Sequence, residues 1–456
     1  MNKAYSAFMT EIEADELYKG LLAYGLFSEK MPPVFTSESF YQYCESISHS
    51  FEERAHNYIY YENMRNINIP RSLAIPNPMA YQMLCRCLRD NWGAIQEHFE
   101  NMTKHQTYKV SRIHIRRLHQ NPALFEMNYD NWRVDGSPEI DISFGKRYIV
   151  RADISSCFPS IYTHALPWAL ATKEQAKSDR NPSSWYNSID LYARNIKNAE
   201  THGLLIGPHA SNLLAEIILT AIDKKLSHWE YMRKIDDYTC YVRTYEEGQK
   251  FLTELAAALR TYDLSLNHKK TEISELPLAA TDHWQRKLNS ISLVTGYGKT
   301  DYKLTQAYID YAVELMHRNK ENAAILNYAV KVLAGKDLTV NAQKYCMKTV
   351  QNLSMIYPYL VSILDEYVFK KYCSSCQDHH CIEQYANIIY CKGLETNNFE
   401  QIAYALFFAI KYRVGIESFK ASDAIGSRDC IFLLFAFIYA SQKKLKDDIK
   451  ALKSFA

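Results

Sequence analysis

RKIDDYTC, residues 233–240, places two adjacent aspartates, Asp236 and Asp237, between two β-prone runs, YMRKI (231–235) and YTCYV (238–242). The runs predict a hairpin with like charges at its tip. On its own such a pair reads as turn chemistry, because aspartate bonds its own backbone. Upstream, RYIVRADI (147–154) has the period-two character of a strand and ends on Asp153, where a carboxylate projects into a cleft beyond a sheet. A hairpin paired beside that strand brings three carboxylates together. Gathered anions repel one another unless a cation joins them. Oxygen-only ligands suit Mg2+, and a pair of such ions serves in-line phosphoryl transfer. The expected cofactor is two Mg2+ ions, with Mn2+ as a substitute.

The bulk numbers bound the partners. A chain of 456 residues exceeds one ordinary core, so two or three domains are expected. With 47% hydrophobic and 23% charged residues it has the profile of a soluble globular protein. A net charge of +2 excludes a global attraction to nucleic acid, leaving that task to local basic patches. The 35 tyrosines are read mainly as packing residues with a polar tip. The N-terminus has no apolar signal core, and the longest apolar run, CIFLLFAFIYA (430–440), is too short to span a bilayer and reads as a buried helix. Eleven scattered cysteines fit a reducing cytoplasm, so the expectation is a cytoplasmic protein without a membrane partner.

Along the chain, residues 1–45 read as helical with a loop at Met31, Pro32 and Pro33. Residues 46–145 are mixed, with the extended NINIPRSLAIPNP (66–78), a helix over 79–99, and the alternating, basic RIHIRRL (112–118). Residues 185–198 read as a helix or an irregular connection. Leu213, Leu214, Ile217, Ala221 and Ile222 recur at helical spacing after Gly207 and Pro208. Phe251, Leu252, Leu255, Ala256 and Leu259 share a face of the next helix, and LSLN (264–267) and TEISEL (271–276) read as edge strands. Beyond residue 300 helical segments follow one another, as stacked pairs of an α-solenoid-like unit would, without a clean repeat motif. CSSCQDHHC (373–381) holds the zinc-type ligands Cys373, Cys376, His379, His380 and Cys381, but no second pair lies at the usual distance, so it reads as a polar interhelical turn.

Four blocks in order, Asp153 with Phe158, GLLIGPHASNLLAE (203–216), IDDY (235–238) and LNHKKT (266–271), resemble the palm of reverse transcriptases. RSLAIPNP (71–78) is similar to the fingers of bacterial members. The resemblance implies that Asp153, Asp236 and Asp237 are catalytic and hold the metals. It implies that Arg71, Ile154, Phe158, Gly207, Ser211 and Lys270 contact a dNTP. Phe158 would be a steric gate against the 2′-hydroxyl, Arg71 a grip on the triphosphate, and Lys270 a counter-charge or proton donor to pyrophosphate. Gly203 and Gly207 would allow close backbone approach, and Ser211 and Asn212 would offer hydrogen bonds. Arg112, Arg116 and Arg117 would line a nucleic-acid groove. Two positions depart from the pattern: Lys234 stands where tyrosine is usual, and Ile206 where many retroviral-type enzymes carry glutamine.

LLAYGLFSEKMPPVFTSESFY (21–41), LSMIYPYLVSIL (353–364) and FEQIAYALFFAIKYRVGI (399–416) resemble the bacterial abortive-infection and defence-associated reverse transcriptases. That resemblance implies DNA synthesis in anti-phage defence, homo-oligomers, and RNA and DNA partners. The RNA is a noncoding template in some members, whereas others synthesise without a template from a tyrosine primer. Tyr5, Tyr18, Tyr24, Tyr41 and Tyr43 lie in the N-terminal region where such a primer is sought. The expected fold is α+β, with an N-terminal helical segment (1–45), fingers (46–145), a palm (146–300) and an all-α helical-repeat domain (301–456). The competing readings are a non-catalytic RNA-binding scaffold with a degenerate palm and a palm-fold nucleotide cyclase. Three intact aspartates disfavour the first, and the helix after Gly207 and the LNHKKT block disfavour the second.

Overall fold

The computed structural model describes residues 3–65, 69–118, 122–126, 136–279, 282–294, 298–373 and 376–455. It forms two compact units, Met1–Ser28 with Phe35–Tyr60 and Leu73–Leu278, and Glu29–Val34 with Tyr61–Ser72 and Ala279–Ala456.

The first unit is built on a four-stranded antiparallel sheet in the order β4-β5-β3-β6. Its strands are β3 (Tyr148–Asp153), β4 (Tyr231–Lys234), β5 (Asp237–Val242) and β6 (Glu272–Glu275). Alternation sets the faces: Tyr238, Cys240 and Val242 of β5 are buried while the residues between them are not. The apolar helix His209–Lys225 supplies much of the core against that face, through Leu213, Leu214, Ile217, Ile218 and Ile222. The helix Tyr245–Arg260 begins on Thr244, whose hydroxyl accepts from the Glu247 N–H, and buries Phe251, Leu255, Ala258 and Leu259. Leu252 and Ala256, expected on that face, are only half-buried.

Where the structure departs from expectation the cause is local. The helix expected over 79–99 is two helices, Pro78–Asp90 and Trp92–Thr103. The Asn91 amide donates to the Cys87 carbonyl and so ends the first. The open reading of 185–198 resolves to the helix Trp185–Asn195. LSLN is not a strand; within it Leu266 forms a single bridge to Ile154, leaving β6 as the edge. RIHIRRL forms no strand, but the preceding Ser111 bridges Arg233 in parallel on the outer side of β4. The extended stretch at 66–78 appears as β2 (Pro70–Pro76), which pairs with β1 (Tyr58–Met64); residues 66–68 lie outside the described residues.

The second unit is largely helical. Tyr302–Arg318 packs against both Ala323–Ala334 and Val340–Ile356, and Phe399–Tyr412 packs against both Cys376–Thr396 and Cys430–Lys443. The reading of CSSCQDHHC as a turn fails from Cys376 onward, where a helix opens; residues 374–375 and the side chains of 376–378 lie outside the described residues. Cys373 instead contacts the Met347 sulfur, and His379 packs on the Tyr412 ring. The apolar run at 430–440 is a helix that buries Phe432, Phe435 and Tyr439. No helix among the described residues is long and apolar enough to cross a membrane.

Candidate active site

The hairpin and β3 meet in a register that decides the site. Asp153, last in β3, lies opposite Asp237, first in β5, and Asp237 lies opposite Lys234 across the hairpin. A two-residue tip, Ile235 and Asp236, connects β4 to β5. Ile235 takes φ 58°, the left-handed sign that such tight connections demand and that a β-branched residue rarely accepts. The Asp236 carbonyl accepts from the Ile154 N–H at 3.2 Å, which fastens the tip to the end of β3.

Asp153 is buried, and both of its carboxylate oxygens are engaged by the LNHKKT block. Oδ1 accepts from the Asn267 amide at 3.0 Å and Oδ2 from Lys270 Nζ at 2.7 Å. Asp237 faces solvent on one side. Loss of solvent on the other, then Asp236 and Asp153, push its carboxyl up to about 6. Asp236 is near enough to act also on Cys157, whose thiol is raised first by burial and then by that charge. Lys270 answers these anions: its hydrogen bond to Asp153 raises its pKa, and the charges of Asp237 and Asp236 add to the effect. Among the described residues no three acidic, histidine or cysteine side chains are drawn tightly enough to hold a metal ion as they stand. The donor set nevertheless fits Mg2+. It consists of carboxylate oxygens whose mutual repulsion the Lys270 ammonium helps to offset, and it contains no sulfur or imidazole.

Beneath the hairpin lies an ionic cluster that the sequence reading missed. Arg233 has no exposed surface. Its guanidinium donates to both carboxylate oxygens of Asp223, to both of Glu216, and to the Ile235 carbonyl in the hairpin tip at 2.9 Å. Tyr5 donates to Glu216 at 2.9 Å and Tyr231 to Asp223 at 2.9 Å, which completes the acceptors' shells. A visible signal existed. Glu216 and Asp223 are two turns apart on one face of an apolar helix, and buried acids require a cation.

The remaining predicted residues separate. Phe158 is half-buried on the short helix Cys157–Ser160 that follows Asp153, and its carbonyl accepts from the Leu204 N–H. Gly203 (φ 87°) and Gly207 (φ 133°) do make close approaches: a Cβ would stand 2.9 Å from the Pro159 carbonyl oxygen in one case and 3.0 Å from that of Ala74 in the other. Ser211 and Ile154 are buried, so neither side chain is presented to a nucleotide, and Ile154 belongs to the apolar core. Arg71 lies half-buried on β2 within the second unit. Arg112 and Arg116 do not line a groove. They are buried, and they donate to the Gly136 and Arg112 carbonyls respectively. Arg117 is exposed but tied to Glu16. Their alternation records a segment laid against β4, where the Arg112 N–H donates to the Arg233 carbonyl. Of the tyrosines in the primer region, Tyr5 and Tyr18 are buried while Tyr43 is half exposed.

A four-stranded antiparallel sheet that sets acidic residues at facing strand ends, with a glycine turn and helix beside them, has the form of a polymerase palm. The chain belongs to the family described as reverse transcriptase (RNA-dependent DNA polymerase), which residues 82–311 match. No curated protein matches it. Among solved structures it is similar to apo telomerase from Candida tropicalis lacking the C-terminal domain, at 11% identity over 57% of this chain and 60% of that one, with a TM-score of 0.33. Apo telomerase from the same organism gives 10%, 95%, 75% and 0.34. Telomerase from Candida albicans with a fragment of telomeric RNA gives 11%, 81%, 65% and 0.29. The chain thus spans under two thirds of the first of these proteins.

Proposed function

We propose that this chain is a DNA polymerase of the reverse-transcriptase class, in which a 3′-hydroxyl attacks the α-phosphate of a dNTP and pyrophosphate leaves. The observation that carries it is the pairing of Asp153 with Asp237 at one end of the sheet, with Asp236 in the adjoining tip. Asp153, Asp236 and Asp237 would hold two Mg2+ ions. Bound there, the ions supply charge neutralisation for the attacking and leaving oxygens. The chain itself positions. Arg233 fixes the tip through the Ile235 carbonyl, Asn267 orients the Asp153 carboxylate, and Lys270 places a positive charge beside it, where pyrophosphate charge develops. Phe158, a few residues after Asp153, would exclude a ribose 2′-hydroxyl.

The finer reading places the chain among the defence-associated bacterial enzymes, acting against phage with a noncoding RNA template or by untemplated synthesis from a tyrosine. The segments at 21–41, 353–364 and 399–416 support it. A helical-repeat tail would serve assembly or hold product. For a protein primer, exposure favours Tyr43 over Tyr5 and Tyr18.

The test incubates purified protein with Mg2+ and labelled dNTPs, with and without added template, beside Asp236→Ala/Asp237→Ala. Label in long, nuclease-sensitive DNA made by wild type alone is the expected result. Cyclic product, or no incorporation under any template and metal condition, overturns the proposal.

A further inference from the structure

The first unit carries a second concentration of nucleic-acid chemistry that shares no residue with the carboxylates or their partners. Two adjoining cavities of about 430 Å³ each have Trp168 in common. The first is lined by Tyr162, Lys177, Arg180, Asp190 and Arg194, and the second by Lys173, Glu174, Lys224, Lys225 and Tyr262. Six lysines and arginines thus face two acids in a chain whose net charge is only +2. This is the local basic patch that a near-neutral chain needs if it is to hold a polyanion. Lys177, Arg180 and Lys224 are exposed and enter no ion pair among the described residues, unlike Arg117 with Glu16.

The aromatic walls suit bases. Tyr162 and Trp168 meet edge to face with centroids 5.8 Å apart, Lys173 Nζ lies 3.9 Å from the Trp168 centroid, and Lys225 Nζ lies 5.3 Å from that of Tyr262. The depth of the first cavity is built and polar. Asp190 is 5% exposed; its Oδ2 is hydrogen-bonded to His164 Nδ1 at 2.7 Å and ion-paired with Arg194 Nε at 3.3 Å. Its Oδ1 is buried without a hydrogen-bond partner. A buried carboxylate oxygen left in this state calls for a donor, which the amino or imino N–H of a base supplies. The volumes lie within the ~300–1,000 Å³ of ligand sites.

We propose that the two cavities form a track for single-stranded nucleic acid: one base enters beside Trp168 and Tyr162 with its N–H edge toward Asp190, and the phosphates run over Lys177, Arg180, Lys173 and Lys224. Alternating cations and rings bind strands without sequence preference, because every base has a stacking face.

The test measures anisotropy of labelled 12-mer DNA and RNA on the full chain across a salt series, for wild type, Trp168→Ala and Lys177→Glu/Arg180→Glu, with thermal melts as the folding control. Trp168→Ala is expected to weaken binding about 5- to 150-fold. The charge reversal is expected to weaken it and to flatten the log K against log salt slope by about 1.4, for two phosphate contacts. A bromodeoxyuridine-substituted strand should crosslink to Tyr162, Trp168 or Tyr262, a readout that does not depend on any variant folding. Asp153→Asn should keep wild-type strand affinity, so loss of polymerisation does not bear on the track. Unchanged affinity in both cavity variants with crosslinks elsewhere overturns the proposal. So does displacement of the strand by an equal concentration of free dTMP or dATP, which would mark a mononucleotide site.

Discussion

Replacing Arg233 with methionine removes one fully buried cation and leaves two acids behind. Glu216 and Asp223 keep only the Tyr5 and Tyr231 hydroxyls among the side-chain donors described above, against the guanidinium's contacts to all four of their oxygens. Breaking a buried ionic cluster by deleting one partner costs about 3–5 kcal/mol, because the charge left unpaired has lost its hydration. For a unit of this size each kcal/mol lowers Tm by about 2–4 °C, so Arg233→Met should melt about 6–20 °C below wild type. Calorimetry and urea unfolding of the full chain measure this. Removing the acids as well, in Arg233→Met/Glu216→Leu/Asp223→Leu, should recover most of the loss, since no charge is then stranded. Arg233→Lys keeps the charge but not the planar fork and should fall between. Because Arg233 also holds the Ile235 carbonyl, Arg233→Met should incorporate less dNTP even at temperatures where it is folded. An Arg233→Met variant within about 1 kcal/mol of wild type would refute the reasoning, as it would show that the acids are not charged and buried together.

Other consequences are direct. Gly207→Ala should destabilise the first unit by about 1–3 kcal/mol in urea, since φ 133° is closed to alanine and the Ala74 carbonyl blocks its Cβ; a neutral result would mean that the turn has another conformation. Phe158→Ala should raise rNTP use relative to dNTP on the order of 10- to 100-fold in competition assays, and an unchanged ratio would assign the ring to packing alone. Burial pushes the Glu400 carboxyl from 4.5 up to about 7, against the pull of the Met64 N–H and the Asn63 amide. Its folded value lies above its unfolded one, so its contribution is full below about pH 4.5 and is lost as pH rises through about 7, roughly 3 kcal/mol across that window. Urea midpoints at pH 5 and pH 8 should therefore differ less for Glu400→Gln than for wild type, and equal differences would place the titration elsewhere.

The sheet was legible because its signals are local. Period-two runs at 147–154 and 238–242 and the DD tip each announce a strand or a turn from neighbouring residues, and the spacing after Gly207 announces the helix. Contacts between distant segments were not legible. The basic alternation of RIHIRRL looks the same whether its arginines face water or a carbonyl-lined interior, and only the neighbouring β4 decides. Lys270 was singled out as a partner for pyrophosphate, whereas Asn267 went unnoticed; both reach Asp153 across more than a hundred residues. The break at Asn91 turns on a single side chain donating back to Cys87, which helical periodicity on either side conceals.

The most direct measurement is an anomalous difference map from crystals grown with Mn2+ and a dNTP. Two manganese peaks touching the carboxylates of residues 153, 236 and 237, absent in Asp153→Asn, are the expected result. Manganese bound elsewhere, with those three side chains unmoved and Lys270 still seated on residue 153, would contradict the account.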